Sequence, residues 1–292
     1  MTVGRATRDL AMARPVPLRP YPRFDAWVAG SRNGIEVAIL GGASLLMLAL
    51  EAVSPRVAIA VAALALLSGI AHGAVRTLPS GHVVAPGWRF CSIYLLAGLC
   101  VAGGFLVAPA VLVALFFAFS AGHFAKAEGR IWPLGIFATF AAFLFHPQAS
   151  AELIDLIAEN RHFAGLFADA GAMAAVGFLV LTLFRIASIE EATKSLLTLL
   201  AFALLSPLAA ISAYFLAHSA AAYLAPIRAG QTPVDAARSF VRIGAPATAF
   251  GAIGIAAYAT NWIEIDLIAA AAFGFVIPHI LADLTEASAA RR

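Results

Sequence analysis

The chain has 292 residues, of which 62% are hydrophobic and only 12% charged, and its mean hydropathy is +0.91. Soluble domains have about a quarter charged residues, so this composition excludes an ordinary soluble enzyme and indicates a helical membrane protein. The net charge of +3 does not indicate a nucleic-acid-binding protein, because the arginines cluster before the first apolar run and in short loops, as the positive-inside rule describes.

The N-terminal segment, residues 1–33, is basic and rich in proline. Proline discourages helix formation, so we expect a poorly ordered cytoplasmic arm. A cleaved signal peptide is not expected, since the apolar run that follows has the full length of a membrane span. We therefore predict this arm, an integral membrane domain at 34–286 and a C-terminal tail at 287–292.

Nine apolar runs follow the arm, most of them bounded by prolines. A helix needs about 20 apolar residues to cross a bilayer, so the runs predict an all-α, polytopic transmembrane bundle with eight or nine apolar segments. The amphipathic stretch 151–163 is expected to lie at the membrane surface. The runs are 34–53, 56–78, 90–108, 109–127, 131–147, 163–184, 195–224, 243–262 and 263–285.

Four of the histidines lie inside these runs or at their ends, namely His72, His123, His218 and His279. A histidine at membrane depth is costly and is a functional candidate for that reason. Four of them with little other charge nearby predict ligands that converge on one metal ion, and an all-imidazole set suits iron, copper or zinc. For each one alone, a ring hydrogen-bonded to a helix carbonyl is the alternative. The remaining histidines, expected to be interfacial without a special role, are His82, His146 and His162.

The depth of these histidines constrains the topology. With a cytoplasmic N-terminus, the runs ending at His72 and His123 both finish on the cytoplasmic side. The run 195–224 brings His218 to the cytoplasmic side only if one segment between 131 and 224 does not cross the membrane. The short run 131–147 is the first suspect, and Pro207 is the other weak point.

Several side chains near the histidines are candidates for supporting roles. An acidic residue can hold the ring of a ligating histidine through its second nitrogen, and aromatic residues can line an apolar pocket. The acidic residue after His123 equally fits a membrane boundary, and a tyrosine one turn before His218 equally fits core packing. The candidates are Glu128, Asp283, Tyr214, Tyr223 and Phe124, with Phe116, Phe117 and Phe119 as further aromatic candidates.

The blocks around the histidines resemble, in the same order, those of the Brp/Blh family of bacterial and archaeal β-carotene 15,15′-dioxygenases. The matching blocks are HGA, SAGHF, HS and PH, and the resemblance extends over about residues 65–285. It implies an integral membrane enzyme of the cell membrane that uses Fe(2+) and O2 to split β-carotene into two retinals. It also implies that His72, His123 and His218 are iron ligands and that His279 is a ligand or pocket residue. The Phe-rich helices favour an apolar substrate arriving through the lipid bilayer, whereas no oligomeric state is predicted.

Two positions depart from that family's pattern. Its first block usually continues with an aspartate near the position of Val75 and Arg76, and its third block carries a second histidine where this chain has Ala222. Either His279 completes a four-histidine site, or three histidines suffice, or the activity has been lost or changed.

A non-enzymatic transporter or a proton- or cation-conducting protein is the alternative function, because buried ionisable groups can relay protons. A histidine-box desaturase or hydroxylase is excluded, since no two histidines stand three or four residues apart. A retinal-binding rhodopsin is also excluded, because Lys126 and Lys194 lie outside the late apolar runs.

Overall fold

A computed structural model describes residues 32–71, 76–77, 83–84, 88–228, 231–235, 237–238, 241, 249, 252–253, 256, 260 and 264–289. At some helix ends only the backbone is described, among them 67–71 and 282–289. The predicted arm up to residue 31 and most of the run 243–262 lie outside the described residues.

The described chain is almost entirely helical, which confirms the all-α fold class. Two strands of two residues, β1 (Arg76–Thr77) and β2 (Val83–Val84), pair antiparallel between the second and third helices. The helices are α1 (Arg32–Val53), α2 (Pro55–Ala71), α3 (Trp88–Val107), α4 (Pro109–Glu128), α5 (Trp132–Phe145), α6 (Pro147–Ala158), α7 (Arg161–Leu183), α8 (Ile189–Leu204), α9 (Pro207–Arg228) and α10 (Ile265–Ala289).

Most helices begin at a residue that favours a helix start. Pro55, Pro109 and Pro147 occupy the first position of α2, α4 and α6, where a missing amide hydrogen costs no helical bond. At the start of α8, the Ser188 hydroxyl accepts from the Glu191 amide and the Glu191 carboxylate accepts from the Ser188 amide, which is a capping box. The prolines that bound the apolar runs therefore start helices.

The prediction of one continuous run at 195–224 is wrong, because the chain reverses direction inside it. α8 ends at Leu204 and α9 starts at Pro207. Between them, the Ser206 amide donates to the Glu51 carboxylate at the end of α1. α8 runs in the same direction as α1, because Lys194 pairs with Glu36 near their first turns and Ser206 bonds Glu51 near their ends. α9 returns towards their first turns, because Tyr214 bonds the carboxylate of Glu128, which Lys194 also binds. The break lies at Pro207, the second weak point of the predicted topology. It adds one change of chain direction before His218, which is the change that a non-crossing 131–147 segment was expected to account for.

The helix in that short run, α5, folds back against α4 and α7. The turn between α4 and α5 contains Gly129, which has a φ of +59°. Phe117 on α4 then packs on Phe140 and Phe143 of α5, and Phe143 also packs on Phe167 of α7. α5 is therefore antiparallel to α4 and to α7, as a crossing helix would be.

The predicted amphipathic stretch 151–163 is two helices and not one segment. α6 ends before Glu159, which has a φ of +49°, and the Asn160 side chain accepts from the Phe163 amide to cap α7. α6 buries Ile154 and exposes Leu153, so this helix is amphipathic as predicted, and its place at a membrane surface stays a prediction.

The described helices are compatible with a membrane protein. Three helical stretches are long and apolar enough to cross a bilayer, and shorter apolar helices accompany them. One of the three, Pro109–Phe145, contains α4 and α5 and folds back at Gly129, so it is not a single span. Large apolar side chains on the outer surface, such as Leu45 and Met173, are 70% and 71% exposed, as lipid-facing residues would be. The number of crossings and their orientation stay predictions.

The interior contains two apolar clusters. The first includes Phe124, Phe137 and Phe202 and joins α1, α2, α5, α7, α8 and α9 to the end of α4. The second includes Phe105 and Phe273 and joins α3, α4, α5, α6, α7 and α10. α4, α5 and α7 contribute to both clusters, and the C-terminal half of α4 carries His123.

Candidate functional site

Three histidines from distant parts of the chain meet inside the bundle. The Nε2 atoms of His123 on α4 and His218 on α9 are 3.3 Å apart. The ring centroids of His123 and His279 on α10 are 5.7 Å apart. His72, the fourth predicted ligand, directly follows α2 and lies outside the described residues. We refer to the first three as the histidine cluster.

The spacing of the two Nε2 atoms fits a pair of ligands on one ion. Imidazole nitrogens bind zinc at about 2.1 Å in tetrahedral sites, which places two ligating nitrogens about 3.4 Å apart. A hydrogen bond from one ring to the other would also suit a contact of this kind. Among the described residues, no three His, Cys, Asp or Glu side chains are placed to hold a metal ion. The described residues thus offer a ligand pair, and metal binding by the predicted set stays a prediction.

The Phe124 ring packs against His123, His218 and Tyr214, where α4 and α9 meet. Its ring centroid is 5.4 Å from that of His123, 5.0 Å from that of His218 and 5.4 Å from that of Tyr214. Aromatic pairs at such distances contribute both apolar burial and a preferred geometry. Phe124, predicted to be a pocket residue, therefore packs directly against both histidine rings.

A cavity of about 270 Å³ opens beside the histidine cluster. His123 and His279 are on its wall, and the only other polar side chains among its lining residues are Ser120 and Thr139. None of the described side chains that line it is charged. The predicted aromatic residues Phe116, Phe117 and Phe124 line it, whereas Phe119 is not among the lining residues. The remaining apolar lining consists of Leu66, Ile211, Phe215, Ala272, Phe273, Phe275, Val276 and Ile280.

A buried charge cluster lies on the other side of Phe124. The Lys194 ammonium binds the Glu36 carboxylate and, at 2.5 Å, Oε2 of Glu128. The Tyr214 hydroxyl donates to Oε1 of Glu128 at 2.7 Å. All four side chains are at least nine-tenths buried. Glu128 is therefore inside the bundle, where it contacts Lys194 and Tyr214, and its place at a membrane boundary stays a prediction.

Sequence reasoning missed Glu36 and Lys194. Each is an isolated charge in or beside an apolar segment, and this isolation is the signal that could have identified them. Tyr214, predicted to line a pocket or the core, belongs to the charge cluster. Two further candidates are not placed, because the side chains of Tyr223 and Asp283 lie outside the described part of the structure.

The remaining histidines do not join the site where they are described. Nε2 of His146 hydrogen-bonds the Phe202 carbonyl oxygen at 2.9 Å, so it satisfies a carbonyl in the last turn of α8 and ties α5 to α8. This contact gives His146 a role in helix packing, and its interfacial position stays a prediction. His162 is exposed on α7, and His82 lies outside the described residues.

Comparison with known proteins agrees with the histidine blocks. The family model described as beta-carotene 15,15′-dioxygenase matches residues 59–285, a range that includes the histidine cluster and the whole cavity lining. No curated protein and no solved structure matches the chain. The match covers more than three quarters of the sequence and confirms the resemblance drawn from its motifs. This chain belongs to the beta-carotene 15,15′-dioxygenase family.

Proposed function

We propose that the chain is an iron-dependent membrane dioxygenase that cleaves the central double bond of β-carotene with O2 to give two retinals. The observation that carries the proposal is the location of His123 and His279, two members of the histidine cluster, on the wall of an apolar, aromatic cavity. His123 and His218 would hold the metal ion together with His279 and His72. Iron(II) held by these imidazoles would supply open coordination positions for the activation of O2.

The cavity residues would bind and orient the polyene. A conjugated hydrocarbon has no group that needs a hydrogen-bond partner, so a lining whose described residues are mostly apolar suits it. Ligand pockets have roughly 300–1,000 Å³, and this cavity is slightly smaller. The carotenoid would therefore place only the middle of its chain beside the histidines. Its ends would extend along the helices towards the lipid.

The helices would also exclude water from the reacting carbons. Apolar helices with exposed leucines support a site within the bilayer, where the substrate would be dissolved. We place the protein in the cell membrane as a multi-pass protein with a cytoplasmic N-terminus, in accordance with the arginines that precede α1. A carotenoid could then enter sideways between helices without passing through water.

Metal dependence is tested on detergent-purified protein. We expect iron to copurify with the protein, chelation to abolish retinal formation from β-carotene, and Fe(2+) to restore it better than Zn(2+) does. Retinal is quantified by chromatography, and metal content by elemental analysis. Well-folded protein that contains no metal and forms no retinal would contradict the proposed dioxygenase activity. Proton flux in liposomes from such a sample would support the transporter.

Filling the cavity should reduce turnover without removing the metal. Val276 lines the cavity one turn before His279, so we expect Val276→Phe to lower retinal formation by at least about tenfold, with unchanged metal content. A tenfold loss corresponds to about 1.4 kcal/mol. Val176→Phe is the matched control, because that valine is 47% exposed on α7 and should tolerate the larger ring. Equal activity of the two variants would contradict the assignment of the cavity to substrate.

A further inference from the structure

The buried charge cluster joins four helices through four side chains. Glu36 is on α1, Glu128 on α4, Lys194 on α8 and Tyr214 on α9. Two carboxylates face one ammonium in the interior of an apolar bundle. Apolar side chains of similar volume are often as stabilising as a buried ion pair, so packing alone does not account for the cluster.

The reaction proposed above does not need the cluster as a source of protons. Cleavage of one carbon–carbon double bond by O2 places one oxygen atom on each of two aldehydes. This balance consumes no proton and no external electron. The cluster is better explained by what it holds in place.

Two contacts between α4 and α9 lie one turn apart on α9. Tyr214 is four residues before His218, so both project from the same face of that helix. Tyr214 donates to Glu128, and His218 meets His123. Phe124 fills the space between these contacts. Successive residues are about 100° apart around a helix, so even a partial rotation of α9 that broke the first contact would also move the His218 ring.

We propose that Glu36, Lys194 and Glu128 form a positioning cluster that fixes the Tyr214 hydroxyl and thereby sets the rotation of α9, placing Nε2 of His218 beside Nε2 of His123. Lys194 occupies one oxygen of Glu128 and leaves the other to accept from Tyr214. Glu36 holds Lys194 from the opposite side. None of these groups touches the substrate. The proposal deepens the proposed function, because the site it positions is the one assigned there to the metal.

The test uses Cu(II) alone as a probe of the histidine pair in the full-length, metal-free protein. Nitrogen hyperfine structure in the electron paramagnetic resonance spectrum reports how many imidazoles bind the ion. We expect at least two in the intact protein and one fewer in Tyr214→Phe, with a Cu(II) Kd that rises about 10–100-fold, as when outer partners of metal ligands are removed. Tyr214→Phe removes one oxygen atom and keeps the ring, so the fold should persist.

Three further variants separate positioning from general stability. Ser212→Ala is the matched control, since Ser212 is a fully buried hydroxyl on the same helix that bonds the Ala62 carbonyl, and it should keep the intact spectrum. Glu128→Gln should keep most of the affinity, because its amide oxygen can still accept from Tyr214. In a Glu128→Leu background, Tyr214→Phe should cause no further loss of Cu(II) affinity, since the hydrogen bond between Tyr214 and Glu128 is already absent.

The outcomes distinguish this proposal from the proposed function. Cu(II) binding by fewer than two imidazoles in the intact protein, or equal spectra and affinities for Tyr214→Phe and Ser212→Ala, would overturn the positioning cluster. Neither measurement requires β-carotene or O2. The expected Cu(II) results without any retinal formation would instead reject the dioxygenase and leave the positioning cluster intact.

Discussion

Replacing His123 by alanine is expected to abolish retinal formation in bacteria that produce β-carotene. His123 is the member of the histidine cluster that contacts both others, with its Nε2 3.3 Å from that of His218 and its ring 5.7 Å from that of His279. Its loss should therefore cost more than the roughly 10–100-fold that follows removal of an outer partner of a metal ligand. The measurement is retinal and residual β-carotene in cell extracts, normalised to protein in the membrane fraction.

The matched control is His162→Ala. His162 is exposed on α7 and takes no part in the histidine cluster, so its substitution should leave product and metal content unchanged. Full activity of His123→Ala at equal expression would show that the histidine cluster takes no part in the reaction.

Gly135→Ala should give the largest loss of stability among the glycine substitutions in the described helices. A Cβ atom at Gly135 would lie 2.4 Å from the carbonyl carbon of Phe124 and 2.6 Å from the amide nitrogen of Ala125. Both are main-chain atoms, which cannot turn aside as a side chain can. α4 and α5 would have to separate beside His123. Overpacking typically costs about 1–3 kcal/mol and occasionally more, and we expect the upper end of this range or beyond.

The experiment compares thermal unfolding in detergent with Gly177→Ala. A Cβ atom at Gly177 on α7 meets nothing within 4 Å, so this substitution should be neutral or should stabilise by about 0.5–1 kcal/mol through helix propensity. We also expect Gly135→Ala to weaken Cu(II) binding, because Phe124 directly follows His123 in the chain. Similar unfolding midpoints for both variants would show that α4 and α5 are not packed as closely as described.

The histidine cluster could be predicted because its members are exceptional where they stand. An ionisable ring within an apolar run has a cost that only a function or a specific partner explains, and His123, His218 and His279 all met that criterion. The charge cluster met it as well, since Glu36 and Lys194 are isolated charges. Their pairing was not predictable, because hydropathy gives the depth of a residue and not its neighbours across the bundle.

The reversal between α8 and α9 shows a second limit of hydropathy. Two antiparallel helices with a two-residue connection give the same apolar profile as one long helix. The structural signal was Pro207, which favours the first position of a helix, next to Ser206, whose amide is capped by Glu51 on α1. The proline was visible in the sequence, but the capping carboxylate is supplied by a helix distant in the chain.

The order of synthesis gives the Glu36–Lys194 pair a consequence for how the protein is made. Glu36 precedes Lys194 by 158 residues, so the ribosome delivers the first helix to the insertion machinery long before α8 exists. Glu36 is the fifth residue of α1, and an isolated acidic side chain is costly inside a membrane. Until α8 has been made, its carboxylate cannot pair with Lys194. Final closure of the bundle is thus deferred until the later helices emerge.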